Sequence, residues 1–297
     1  ITVSDAGQIS YKGQPIKNFY IEGLDLMKGR YGIATNNIDP NSISTIEVLE
    51  NHQDIKALKD LKPEERASIN LKLKSGVKGV FNLIATLGGG YVDKLLWDNE
   101  LITTYFQRNS QLLATYKGNN SGTDLESELR SHTDYDYSRT STISDIAMPA
   151  TPGINKRYYY FNQSHSATYN QVFRVGKNGE LGINAAYLND RDERSNQSVT
   201  TTLLPDGSKN VVDESFNGIL HRNIANGNIT YMQNTERNYI KEQLKFDWLS
   251  TDGYSNIYAG EDIIQENNVE NYRLHNLFHL TSRTGSDKGV EFLSKIN

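Results

Sequence analysis

Residues Phe19–Leu73 read FYIEGLDLMKGRYGIATNNIDPNSISTIEVLENHQDIKALKDLKPEERASINLKL, and the punctuation of this stretch decides the fold. Asn18-Phe19-Tyr20-Ile21-Glu22 is a short β-rich run stopped by Gly23. Thr45-Ile46-Glu47-Val48-Leu49 is a second run, and Ala67 to Lys74 (ASINLKLK) is a third with period-2 alternation. Asp39-Pro40-Asn41-Ser42-Ile43 predicts a helical turn, since Pro40 stands where its missing N–H costs nothing. Asp54-Ile55-Lys56-Ala57-Leu58-Lys59 predicts another short helix, capped by Asp54. Three strands and a few helical turns make a small mixed α/β unit. Its core is too modest to stand alone, so it is expected to pack against something larger.

Working outward from this stretch, the chain changes character near Ser75-Gly76, after which nearly everything reads as strands and polar loops. Val80 to Leu87 places Phe81, Leu83, Ala85 and Leu87 on one face. In the next run Leu95, Trp97, Leu101 and Tyr105 oppose Asp98, Glu100 and Thr104. Leu181, Ile183, Ala185 and Tyr187 oppose Gly182, Asn184, Ala186 and Asp190, and Leu274, Asn276, Phe278 and Leu280 share a face late in the chain. Two-faced strands suit an antiparallel sheet. Residues 119–156 and 189–198 read as long polar loops, whereas Pro205-Asp206-Gly207 signals a tight hairpin. Short turns on one rim and long loops on the other are the pattern of a transmembrane barrel.

Composition agrees with strands. The 297 residues hold 18 Tyr but only 3 Met, and 36% of the chain is hydrophobic. A mean hydropathy of -0.62 and the lack of a long apolar run exclude a transmembrane helix but not a barrel, whose strands alternate. A net charge of -5, with no block of Lys and Arg, argues against a nucleic-acid partner. Zero Cys removes thiol catalysis, thiolate metal sites and disulfides. The first residues, Ile1-Thr2-Val3-Ser4-Asp5, show neither a charged nor an apolar leader segment, so a leader, if the chain is exported, is expected outside this sequence.

No constellation of catalytic residues emerges, and the chain is not expected to be an enzyme or to need a cofactor. Asp190, Asp192 and Glu193 offer carboxylates, but without the glycine turn and distal Glu of a calcium loop they read as a solvated loop. His275 and His279 are four apart, yet Asn276 stands where a helical zinc motif carries its Glu, and YRLHNLFHL reads as a strand. His52, His132, His165 and His221 are isolated. Gly88-Gly89-Gly90 follows a strand without the Lys-Ser/Thr of a phosphate cradle, and reads as a sheet bend or hairpin.

The stretch Phe19–Leu73 resembles the plug domain of TonB-dependent outer-membrane receptors, particularly the Bacteroidetes-type versions. Tyr20-Ile21-Glu22-Gly23, then Asp39-Pro40 and Ile43 leading into Ile46-Glu47-Val48-Leu49, then Ala67 to Lys74 match the family's strands in order. Asn51-His52-Gln53 and Ala57-Leu58-Lys59 depart from the family's Gly-Pro and Leu-Tyr-Gly. The resemblance implies an α+β plug domain (1–76, N-terminally truncated) followed by antiparallel transmembrane β-barrel strands (77–297). Family members close 22 strands, and about 220 residues supply about ten at roughly ten residues per strand plus turns and loops. A missing remainder of the barrel is therefore expected as partner to the open edges.

The resemblance also implies location in the bacterial outer membrane, with lipid around the barrel. Its partners are TonB, reached through a box preceding this sequence, and an extracellular small-molecule, glycan or peptide ligand. Arg30, Tyr31, Asn36 and Asn37, at the expected apex of the plug, are the candidate ligand contacts: one cation, one amphipathic ring and two amides suit a polar ligand. A competing role for Arg30 and Tyr31 is to pin the plug to the barrel wall. Two other readings stand beside transport. One is a non-transporting barrel serving as a structural subunit of an outer-membrane assembly; the other is a soluble all-β binding module.

Overall fold

The computed structural model describes residues 1–4, 7–59, 61–132, 146–285 and 288–297, with Arg157 described in its backbone alone. Residues 133–145, part of the expected polar loop 119–156, lie outside the described residues.

The opening residues form β1 (Thr2–Val3), β2 (Ile9–Tyr11) and β3 (Gln14–Pro15), a small antiparallel meander. The three strands anticipated in Phe19–Leu73 all form: β4 (Phe19–Ile21), β5 (Ile43–Leu49) and β6 (Ser68–Leu73). They make one sheet in the order β4-β6-β5, with β4 parallel and β5 antiparallel to the central β6. Central β6 is nearly buried on both faces, so its alternation separates two packed sides rather than a dry side from a wet one. Pro40–Ser42 is a single 3₁₀ turn, with Asp39 Oδ1 accepting from the Asn41 amide at 2.8 Å.

Two local expectations change. Lys56–Leu58 is a 3₁₀ turn that Asp54 does not cap, because the Asp54 carboxylate is engaged by Lys17 Nζ at 2.6 Å. Besides β1–β3, α1 (Tyr31–Asn37) went unanticipated, and in it Tyr31, Gly32, Ile33 and Ala34 are all buried.

The rest is one antiparallel meander of nine strands in sequence order. These are β7 (Phe81–Val92), β8 (Lys94–Phe106), β9 (Ser110–Asn119), β10 (Phe161–Val175), β11 (Gly179–Leu203), β12 (Lys209–Asn234), β13 (Asn238–Tyr258), β14 (Asp262–Arg283) and β15 (Gly289–Ile296). The sheet is open, with β7 and β15 at its edges. Residues 189–198 are strand, not loop: Asp190 through Ser198 pair in unbroken register with Arg222 through Glu214. A run of charges looks like a loop in sequence, but nothing in it breaks a strand, and both neighbours are long. Gly88–Gly90 likewise lie within β7, opposite Asp98, Trp97 and Leu96, and the turn falls instead at Asp93 with φ 59°. Pro205-Asp206-Gly207 is the hairpin tip, where Gly207 takes φ 83°.

The sheet is inside out relative to a soluble protein. On its convex face Tyr169, Tyr187, Ile229, Leu244, Phe246, Tyr272 and Leu274 are exposed. On the other face Ser164, Thr168, Asn170, Asn184, Thr230 and Gln243 are buried. Phe246 is 42% exposed where Gln243, three residues before it on the opposite face, is 5%. Burial of apolar surface cannot produce this arrangement in water, because it leaves the apolar groups wet.

The apolar face ends along a definite line. Tyr116, Ala167, Tyr187, Ala225, Trp248 and Tyr272 lie in register across β9–β14. The next row is polar: His165, Asn189, Asn223, Ser250 and Glu270. Tyr116 Oη meets His165 Nδ1 at 2.9 Å, Tyr187 Oη donates to Asn223 at 2.9 Å and Trp248 Nε1 donates to Glu270 at 3.1 Å. Tyr272 also bonds Glu270. All four rings thus keep an apolar body below and a polar tip above, the posture of aromatic residues at a lipid–water boundary. Beyond this row β11 runs from Leu188 to Leu203, about 50 Å at ~3.3 Å per residue. At the opposite rim, residues 107–109, 176–178 and 235–237 are three-residue turns.

The mixed unit sits against the polar, concave face. Where they meet, Leu113, Val172, Ala186 and Leu188 of the wall form an apolar island and share one core with Leu24, Leu26, Met27 and Ile33. Polar side chains of the wall hold the unit's backbone around that island. Gln111 Nε2 donates to the Ile21 carbonyl and Asn184 Nδ2 to that of Leu26, both at 2.8 Å.

Candidate functional site

Between the unit and the wall, beside the turn that precedes α1, lies a cavity of about 240 Å³. Its floor is Met27, Lys28 and Arg30, and its wall comes from the concave faces of β11–β15. Lys28 is held by a local turn: the Asp25 carboxylate accepts from the Lys28 amide at 2.9 Å, and Lys28 takes φ 46° ahead of Gly29 at 97°. Strand alternation supplies the wall. In β13 Lys241, Gln243, Lys245 and Asp247 face the cavity, while Leu244 and Phe246 between them face outward. His275 and Lys295 complete the lining from β14 and β15. Five Lys or Arg side chains (Lys28, Arg30, Lys241, Lys245, Lys295) thus line it against one carboxylate, Asp247, a chemistry suited to an anionic group.

The four residues expected at the apex separate. Arg30 lines this cavity. Tyr31 is fully buried, stacked on Phe19 with ring centroids 5.7 Å apart and tilted against His132 at 4.9 Å. Burial pushes its hydroxyl pKa up, so the ring stays neutral. Asn37 is buried and donates to the Ile33 carbonyl at 2.7 Å, closing the last turn of α1. Asn36 reaches Glu128 at 3.4 Å. Sequence reasoning placed these four in a loop; the helix turns two of them into core. The wall lysines were missed, although the alternation in KEQLKFDW (241–248) marks the inward positions as clearly as in the strands that were read.

A segment of the β9–β10 connection lies over α1. Leu125 and Leu129 enter the shared core, and the His132 amide donates to the Gly29 carbonyl at 2.9 Å. Glu128 accepts from Lys117 Nζ at 2.8 Å, and Glu126 from Arg222 at 2.8 Å. The other candidate clusters disperse. Asp190 is buried on the concave face, taking hydrogen bonds from Tyr160 (2.5 Å), Ser164 (2.6 Å) and Arg222 (2.5 Å). Asp192 pairs with Arg194, and Glu193 with Arg191 on the other face. His275 and His279 point the same way along β14, as the strand reading expected, but bond separately, to Asn297 at 2.9 Å and Glu291 at 2.8 Å. No group of three potential metal ligands occurs among the described residues.

A second cavity, of about 370 Å³, opens beside the short-turn rim. Lys177 and Asn178 line it from a turn, Asn234 from the end of β12, and Tyr20 and His52 from the unit. Burial, followed by the charges of Asp25 and Asp54, holds the Tyr20 hydroxyl protonated far above its ordinary range, and burial lowers the His52 pKa, keeping that ring neutral.

No family model matches the chain and no curated protein matches it. Among solved structures it is similar to BauA, the ferric preacinetobactin receptor from Acinetobacter baumannii, at 9% identity and a TM-score of 0.30, over 98% of this chain and 53% of that one. It is similar to the copper transporter OprC at 9% identity and a TM-score of 0.25, covering 96% of this chain and 47% of that one. A third is the ferric-catecholate import receptor Fiu from E. coli K12, at 8% identity and a TM-score of 0.22, over 98% and 64%. The chain spans about half to two thirds of the length of these proteins.

Proposed function

We propose that the protein is a TonB-dependent outer-membrane receptor, of the Bacteroidetes type, that imports a scarce solute through a plugged β-barrel. Residues 1–76 are read as the plug and 77–297 as part of the barrel. The observation that carries this is the inverted sheet. Its exposed face is apolar and bounded by a row of interfacial aromatics, its buried face is polar, and a small folded unit occupies the polar side. Lipid against the convex face removes the cost of exposed Phe246 and Leu274, and only a sheet with every strand partnered is stable there. The long strands then project outside the cell and the three-residue turns face the periplasm.

The solute enters the cavity above Lys28 and Arg30, and work delivered through TonB moves the plug to let it pass. No covalent step is involved. The segment 124–132, seated over α1, favours a second reading, a barrel that serves as a structural subunit and transports nothing.

Cell fractionation and uptake separate these readings. The native protein is expected in the outer membrane, released only by detergent, and cells carrying it take up a solute that a deletion strain does not. Arg30→Glu is expected to reduce that uptake by about tenfold, the cost of one lost charge-assisted contact. Uptake unchanged by Arg30→Glu removes Arg30 from the ligand site. A soluble protein removes the receptor reading altogether.

A further inference from the structure

We infer that Lys28 and Lys241 form an anion-selecting constriction on a path running beside the plug, an inference that rests on the receptor reading above. The cavity next to Arg30 and the cavity at the short-turn rim are lined by different residues except for two, and those two are Lys28 and Lys241. One comes from the unit and the other from the wall, so they stand where the two spaces adjoin.

The seat for Lys28 is built. Its backbone is fixed by the Asp25 turn, and its side chain is only 9% exposed. Its Cε lies against Gly182 of β11 so closely that a Cβ there would meet it at 3.1 Å. Glycine at 182 therefore lets the lysine lie along the wall without the shift of a few tenths of an ångström that a Cβ would demand. Carboxylates are near: Asp25 is 3.9 Å from Lys28 Nζ, Asp54 and Glu180 line the rim cavity, and Asp247 lines the other. At the junction itself both side chains are ammonium groups. Two cations where both cavities meet favour anions over cations, as lysine and arginine rings do in anion pores. The solute class that fits is a small organic or inorganic anion carrying carboxylate, phosphate or sulfate.

The test is ion conductance of the native protein in planar bilayers under a KCl gradient, with barrel insertion verified by heat-modifiable migration. Wild type is expected to show a small conductance with an anion-selective reversal potential. Lys28→Ala should raise the conductance roughly threefold or more and move the reversal potential toward zero, and Lys28→Glu with Lys241→Glu should invert its sign. Gly182→Ala, which changes no charge, should lower the conductance and leave its selectivity intact. An inserted Lys28→Ala protein that conducts as wild type does, including not at all, overturns the constriction, as does charge reversal that leaves the reversal potential in place. If these shifts occur but cells take up no solute, transport fails and the constriction stands; uptake with unmoved potentials is the reverse.

Discussion

Lys17 shows how one side chain fixes a segment that has little core of its own. Its ammonium bonds Asp54 and Glu64, each at 2.6 Å, while its amide donates to the Ala67 carbonyl. Burial works against the charge, but the two carboxylates outweigh it and the Lys17 pKa rises above 10.5. For Glu64, burial again opposes ionisation, and the bond from Lys17 more than offsets it, so its pKa falls below 4.5. A raised lysine contributes stability that is complete below its unfolded pKa and lost as pH climbs through the folded value. A depressed carboxylate contributes above its unfolded pKa and loses it as pH falls through the folded one. The tie is thus fully formed from about pH 5 to about pH 10 and weakens on both sides. Lys17→Met is expected to flatten the acid limb of thermal stability, measured as unfolding midpoint against pH in detergent. Superimposable acid limbs for variant and wild type would remove the tie from the energetics.

At the scale of elements, the convex faces of β13 and β14 carry the sharpest expectation. Phe246 stands opposite Leu274 on the apolar face, one row inside the aromatic boundary of Trp248 and Tyr272. Facing lipid one row inside the boundary, Phe246→Arg should cost about 1–2 kcal/mol of folding free energy in liposomes. Facing water, the same change on an exposed side chain should fall within about 0.5 kcal/mol. Equilibrium unfolding in bilayers reads the difference directly, and a neutral result would exclude lipid there. This face was legible in sequence wherever apolar residues alternated, as in Leu181, Ile183, Ala185 and Tyr187. It became illegible where β11 leaves the band, because Asp190–Ser198 are polar on both faces and lose the alternation while keeping the ladder. The apex failed for a different reason. Tyr31-Gly32-Ile33-Ala34 is too short and too Gly-containing to announce a helix by periodicity, and only packing against Phe19 and Leu26 makes it one. The cationic wall was written in β13 all along, but a lysine facing inward and one facing solvent look alike until the strand's outer face is recognised as the apolar one.

Across the whole molecule, the small unit and the sheet are joined by two apolar clusters, one around Leu188 and a smaller one of Ile55, Ala57 and Tyr239, and by a few amide bonds, and this decides which part gives way first. Leu188 is fully buried in the larger of these, beside Leu113, Val172 and Ala186 of the wall. Asn234 adds a hook near the rim: it accepts from the Lys56 amide at 3.0 Å and donates to the Asp54 carbonyl at 2.7 Å. The strand ladders do not depend on these contacts. Each of β8–β14 is hydrogen-bonded on both sides to its neighbours in the meander, and the bridge from Lys78 to Phe106 is where the end of the small unit touches that ladder. Leu188→Ala removes transfer energy and leaves a cavity, about 2–5 kcal/mol together. That loss falls on docking rather than on the barrel. Trypsin is therefore expected to cut within 56–66, at Lys56, Lys59 or Arg66, several times faster in the variant, while its heat-modifiable migration stays that of the folded wild type. If both change together, the unit and the sheet unfold as one body, and the unit cannot yield while the sheet holds.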